Sequence, residues 1–303
     1  MACDSAKGVA SVESCIVEHM FDVAELAAVD PHADQAALIE QIAWLERVKS
    51  AATAGQARAA AALDAKRRAA EAAAGVPTAK QGRGVAGEVA LARRDSPARG
   101  GRHLGLAKAL VHEMPHTLAA LESGALSEWR ATLIARESAC LDVQDRRRLD
   151  AELCASVGPL EGMGDARIVA AATEIAARLD AQAVVDRAAK AEADRTVTIR
   201  PAPDCMTYVT VLLPVAQGVG VYAALRRSAD TTVDDRSRGQ VTADTLVERV
   251  TGRPADASAP VALNRVMSDQ ALWGQDNASA ALDGYGPIPA SPAQHLVWGR
   301  AGR

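Results

Sequence analysis

Aromatic side chains are scarce in this chain: one Phe, three Tyr and four Trp among 303 residues. So few rings argue against a nucleotide pocket built on aromatic stacking and against one thick core. The five cysteines (Cys3, Cys15, Cys140, Cys154 and Cys205) are scattered and contain no C-x-x-C pair, which removes the paired-thiolate metal and redox motifs. They read as reduced structural thiols of a cytoplasmic protein. No run approaches the roughly 20 apolar residues of a membrane span. The first residues have no basic region leading into an apolar one, so no signal peptide is expected. P-loops and nucleophile elbows are missing too. Gly218 and Gly220 are no dinucleotide fingerprint, because they fall inside a helical pattern. They read as a close contact of that helix with a neighbouring hairpin. No cofactor and no membrane partner are expected.

Alanine supplies much of the 49% hydrophobic content. It is the best helix former but buries little area, so many helices with thin contacts are expected. The fold class is mainly α. It comprises a helical body with a long N-terminal helix and a helix-turn-helix-like core, plus a small C-terminal α+β unit with a β-hairpin. The expected division is an N-terminal segment 1–34, a helical domain 35–194 with its helix-turn-helix-like part at 85–141, and the α+β domain 195–303. A short helix is expected around Val12–Val29. A long one follows from Gln35 to Ala74, with Leu38, Ile42, Leu45, Val48, Ala52, Ala59 and Leu63 near helical spacing, stopped by Gly75 and Pro77. Asp165 reads as the cap of a helix Ala166–Leu179. At Arg195 the period changes to alternation: RTVTIRP and MTYVTVLLP flank a turn at 202–205 and predict the hairpin. Helices at Val215–Ser228 and Thr242–Val250, a strand at Val261–Met267 and a turn at Gly284–Pro289 complete the C-terminal third.

His112-Glu113-Met114-Pro115-His116 matches the H-E-x-x-H zinc pattern, which requires both histidines on one continuous helix. Pro115 would break that helix and reads instead as the start of the next one. No metal site is expected.

Charge is concentrated in one place. Between Val76 and Leu110 the cations are Lys80, Arg83, Arg93, Arg94, Arg99, Arg102 and Lys108, against Glu88 and Asp95 alone. That segment is therefore about +5 in a chain whose net charge is −4. Gly87–Arg94 reads as a first helix with Val89 and Ala90 inside. Asp95-Ser96-Pro97 is a turn, with Ser96 as N-cap of a second helix Pro97–Leu110. Arg99, Arg102 and His103 lie in its first half, where a recognition helix meets DNA. A second pair follows: Pro115–Ser123 closed by Gly124, then Glu128–Cys140 capped by Ser127, with Trp129, Leu133 and Ala139 inward. The same residues also suit the solvated face of a helical bundle. Gly100 and Gly101 each cost the second helix about 1 kcal/mol relative to alanine. The candidate DNA-binding residues are Lys80, Arg83, Arg93, Arg94, Ser96, Arg99, Arg102, His103 and Lys108. No catalytic residue is assigned.

The segments MPHTLAALESGALSEWRATLIARES, RTVTIRPAPDCMTYVTVLLP and ALDGYGPIPAS, in this order, resemble the 13E12 repeat family of actinobacteria, also described as domain of unknown function 222. The resemblance covers about Val12 to Pro292. It implies a region that precedes an HNH endonuclease domain and is associated with mobile or repeated DNA. Only His295 stands near the end of the sequence, so no HNH residue can be carried over and a module without its own nuclease site is expected. EVALARRDSPARGGRHLGLAKAL with LAALESGALSEWRATLIA is similar, locally, to ParB-type helix-turn-helix proteins, which implies that Ser96, Arg99, Arg102 and His103 face DNA. The alternatives are a dimerisation or nuclease-docking scaffold built on the long helix, a nuclease with an unrecognised site, and a non-functional repeat copy.

Overall fold

A computed structural model describes residues 23–156, 158–160, 162–255, 265–273, 277–282, 286–291 and 293–294. The chain divides into two compact units, 1–187 and 188–303. The first is helical. After a single turn α1 (Val23–Leu26) comes α2 (Gln35–Ala73), whose N-cap Asp34 accepts a hydrogen bond from the Ala37 amide. Then follow α3 (Val85–Ala92), α4 (Pro97–Glu113), α5 (Pro115–Glu122), α6 (Glu128–Glu137), α7 (Val143–Cys154), α8 (Asp165–Leu179) and α9 (Ala181–Ala193), the last spanning the division between the units. The predicted helix Val12–Val29 lies largely outside the described residues; within them it is the turn α1.

Helix α2 lies across α4 and α5, α3 packs on α4, α5 on α7, and α6 and α7 on α8. Between them Leu110, Met114, Leu121, Leu126, Ile134, Leu149 and Ile168 form the buried core. The face that α2 buries differs from the predicted stripe. It consists of Ser50, Ala54, Ala57, Ala61 and Asp64, while Ile42, Ala52, Ala59 and Leu63 are exposed. The contact is close, so it selects small side chains rather than large ones. No residue of α2 before Ser50 is buried, and Ile39, Ile42 and Trp44 stand in solvent.

Three helix ends in this unit reverse the chain in the same way. At α2, α3 and α5 a residue with positive φ follows the helix, and the next amide reaches back to a carbonyl five residues earlier: Val76 to Glu71, Asp95 to Ala90, Ala125 to Ala120. This is the Schellman geometry, for which glycine is suited because it has no Cβ. Gly75 and Gly124 serve two of the turns, but Arg94 (φ 54) serves the third.

Pro115 starts α5 as predicted, so His112 and His116 lie on different helices. The exposed first amides of α5 are capped from a distance. Buried Asp150 on α7 accepts from the His116 and Thr117 amides, both at 2.8 Å, and from the Thr117 hydroxyl at 2.6 Å. Two inward predictions fail at α6. The Trp129 side chain is exposed and donates its indole N–H to Asp165 at 2.9 Å. Ala139 is exposed because α6 ends at Glu137 and tightens into a 3-10 turn, Ser138–Cys140. Asp165 is the first residue of α8 rather than its cap, which is Gly164. Its carboxylate is taken by Trp129 and Arg130.

The second unit holds the predicted hairpin, β1 (Thr196–Ala202) and β2 (Met206–Leu212), antiparallel with Thr196 opposite Leu212 and Ala202 opposite Met206. Arg200 stacks over the Tyr208 ring at 4.2 Å. Helix α10 (Val215–Thr231) packs on α11 (Arg238–Thr251). Helix α11 starts four residues before its predicted first residue, because Ser237 and Gln240 form a capping box. The space around Gly218 and Gly220 is open, so neither marks the close contact expected of it. A small sheet of β3 (Arg265–Val266), β4 (Ala280–Leu282) and β5 (Gly286–Ile288), with a turn of helix α12 (Asp269–Leu272) between β3 and β4, completes the unit. Residues 286–288, predicted as part of a turn, are paired as β5. Of the predicted strand Val261–Met267, residues 261–264 lie outside the described residues.

Candidate nucleic-acid interface

Helices α3 and α4 meet at Gly100. A Cβ there would stand 2.0 Å from the Ala86 carbonyl oxygen and 3.0 Å from the Ala90 methyl. Gly100 is therefore the contact that lets the two helices touch backbone to side, while its neighbour Gly101 faces open space. The turn joining them carries Arg93, Arg94, Asp95 and Ser96. Ser96 occupies the N-cap position of α4 but its hydroxyl makes no capping bond; the Asp95 carboxylate takes the Ser96 amide at 2.8 Å instead.

The predicted cations divide into two groups. Arg93, His103 and Lys108 are half-buried and engaged. Arg93 donates to both oxygens of Glu128, at 2.8 and 3.1 Å, which ties the α3–α4 turn to the start of α6. His103 stands 3.0 Å from Asp95 through Nε2 and 3.7 Å from Glu128 through Nδ1. Lys108 lies 3.1 Å from Asp64 of α2, whose other partner is Arg68 at 2.9 Å. Burial pushes the Asp64 carboxyl up, but the hydrogen bonds and charges of Arg68 and Lys108 outweigh it and hold the group below its ordinary value.

Lys80, Arg83, Arg94, Ser96, Arg99 and Arg102 are exposed. Among the described residues Lys80, Arg83, Arg94 and Arg102 form no ion pair, and Arg99 has only a 3.5 Å approach to Asp95. The Asp95 carboxyl is held down to about 2, first by the His103 hydrogen bond, then by the Ser96 amide and Arg99. It therefore stays ionised at neutral pH and keeps His103 and the turn in place. Lys80 and Arg83 sit on a loop fixed by Gly82, whose amide donates to Glu71 at 2.6 Å, and by Gln81, whose side chain donates to the Val76 carbonyl.

In the sequence Glu128 stands out only as the first residue of a helix capped by Ser127, and Asp64 does not stand out. Each neutralises a cation far from it in the chain, so no local pattern exposes the pairing. Beside this ionic cluster α2, α3 and α4 enclose a half-open cavity of about 340 Å³. Among the described residues no group of three or more His, Cys, Asp or Glu could hold a metal ion, and no helix is long and apolar enough to cross a membrane.

A family model described as "Domain of unknown function (DUF222)" matches residues 26–293. The chain belongs to the DUF222 family. The match takes in the helical unit, the hairpin and the helices that follow it, so the DUF222 region holds both the α3–α4 pair and the ion pairs that fix it. No curated protein and no solved structure matches the chain.

Proposed function

We propose that this DUF222 protein binds duplex DNA through the α3–α4 pair, with Lys80, Arg83, Arg94, Arg99 and Arg102 contacting phosphates and the start of α4 entering a groove. Arg93, His103 and Lys108 hold that surface in shape rather than touch DNA. The observation that carries the reading is Arg94. A left-handed residue with a Cβ costs about 1 kcal/mol more than glycine, yet this turn spends it on an exposed, unpaired guanidinium where the two matching turns use glycine. Strain of this kind is a pointer to function. The local excess of positive charge and the sequence resemblance to HNH-associated and ParB-type proteins support the same reading. Each phosphate contact removed should flatten the salt dependence of binding by about 0.9 in the log–log slope.

The test is binding of the full chain to duplex DNA over a salt series. The double variant Arg99→Ala/Arg102→Ala should lose about two units of slope. Arg94→Gly should raise stability by about 1 kcal/mol while weakening binding. Absence of binding at low salt, or an Arg94→Gly protein that binds as the parent does, would sink the proposal.

A second reading rests on the unburied N-terminal half of α2. Ile39 and Ile42, neighbours on one face of the helix, are exposed and make an apolar patch that suits a second copy or a separate nuclease subunit. For self-association, light scattering should show a dimer that Ile39→Glu/Ile42→Glu dissociates; a monomer at high concentration rules it out.

A further inference from the structure

We infer that the hairpin β1–β2 is a self-docking surface, whose apolar face packs on the same face of a second copy of this chain. The register fixes what each face carries. Val197 stands opposite Val211, Ile199 opposite Val209 and Pro201 opposite Thr207, so these six share one face. The other face holds Thr198 opposite Thr210 and Arg200 stacked over Tyr208, with Leu212 and Met206 at its two ends. Such alternation belongs to a strand pair with one face in water and one against a core. Yet Val197, Ile199, Val209 and Val211 are between 47% and 68% exposed, and no strand residue of the hairpin is buried. A two-stranded sheet is marginal in water by itself and gains its stability from further strands or from a layer packed on its apolar side.

Charge and area select a second copy as that layer. The face carries no ionisable group, so two copies meet without like-charge repulsion. A charged partner surface would instead lose its water here with no counter-charge to replace it. The six side chains offer about 500 Å² on each copy, the size of patch that on a monomer is often a contact site. Two such faces together reach the about 1,000 Å² from which a specific interface begins. β-Branched side chains of two stacked sheets interdigitate across about 10 Å, and a two-fold axis lets one patch serve both partners. An interface at this lower limit of size gives a dimer that dissociates on dilution. The proposal is independent of the DNA reading and uses a surface other than the Ile39–Ile42 patch of α2.

Sedimentation equilibrium of the full chain over a concentration series tests it. The parent should pass from monomer to dimer. Ile199→Glu/Val209→Glu charges the apolar face and should weaken the dimer at least about tenfold. Thr198→Glu/Thr210→Glu puts the same two charges directly opposite each other on the other face of the same strands, and should associate as the parent does. Each double variant sets two carboxylates side by side within the hairpin, so harm to the hairpin itself would appear in both. The proposal is overturned if the parent stays a monomer at the highest concentration, or if the two variants weaken the dimer alike. It is also overturned if the dimer survives Ile199→Glu/Val209→Glu and is lost in Ile39→Glu/Ile42→Glu.

Discussion

Gly100→Ala is expected to destabilise the helical unit by about 3 kcal/mol or more, because a single methyl group must occupy space already filled by backbone. The nearest atom is the Ala86 carbonyl oxygen, 2.0 Å from the added carbon, and α3 can give way only by lifting off α4. Lifting it also strains the Arg93–Glu128 pair that joins the turn to α6. Gly101→Ala is the control. Nothing lies within 4 Å of the new methyl, so the helix gains the full propensity difference, about 1 kcal/mol of added stability. Urea denaturation of the two variants should move the midpoint in opposite directions. Two shifts of the same sign would mean that the α3–α4 contact is looser than described. The sequence offers no way to tell these two glycines apart, since both read as a cost to the same helix.

The second large effect is expected at Asp150. Alanine there strips the acceptors from two amides and one hydroxyl at the start of α5, of which the Thr117 amide and hydroxyl are buried and the His116 amide partly so. Unpaired buried groups cost about 1–3 kcal/mol each, so a loss of about 3–5 kcal/mol is expected. Asparagine keeps the oxygen that serves Thr117 but loses the His116 bond and the negative charge at the helix N-terminus, for about 1–2 kcal/mol. Chemical denaturation should therefore rank parent, Asp150→Asn and Asp150→Ala in that order. Equal losses for the two variants, or a loss below about 1 kcal/mol for alanine, would remove Asp150 as the cap of α5.

The sequence made legible what neighbouring residues decide. Gly75, Pro97, Pro115 and Gly124 stop or start helices through their own backbone chemistry, and the alternation after Arg195 sets the hairpin whatever surrounds it. What depended on distant residues was hidden. In α2 alanine recurs on every side, so the pattern could not say which side is buried, and the few large apolar residues pointed to the wrong one. Asp150 caps the start of α5 through the His116 amide, 34 residues earlier in the chain. The same distance rule governs the candidate interface. Its helices and turn follow from local signals, but the removal of Arg93, His103 and Lys108 from the free surface depends on Glu128, Asp95 and Asp64, two of them on other helices. The Ser237–Gln240 capping box is the exception: it is a local signal, visible in the sequence, that sets the start of α11 ahead of Thr242.

The uneven burial along α2 has a kinetic consequence. A helix of 39 residues whose fully buried residues begin only at Ser50, with Leu38, Leu45 and Val48 half-buried before it, has two segments of unlike stability. The stretch from Gln35 to Lys49 is about the length at which an isolated helix is marginal in water, whereas the stretch after it is clamped by α4 and α5. Opening therefore starts at the N-terminal end and travels inward until it meets the clamp. In hydrogen exchange the amides before Ser50 would report local opening, and those around Ala54–Ala61 the unfolding of the whole unit. One continuous helix then serves as a graded element, firm beneath α4 and α5 and increasingly yielding toward its start.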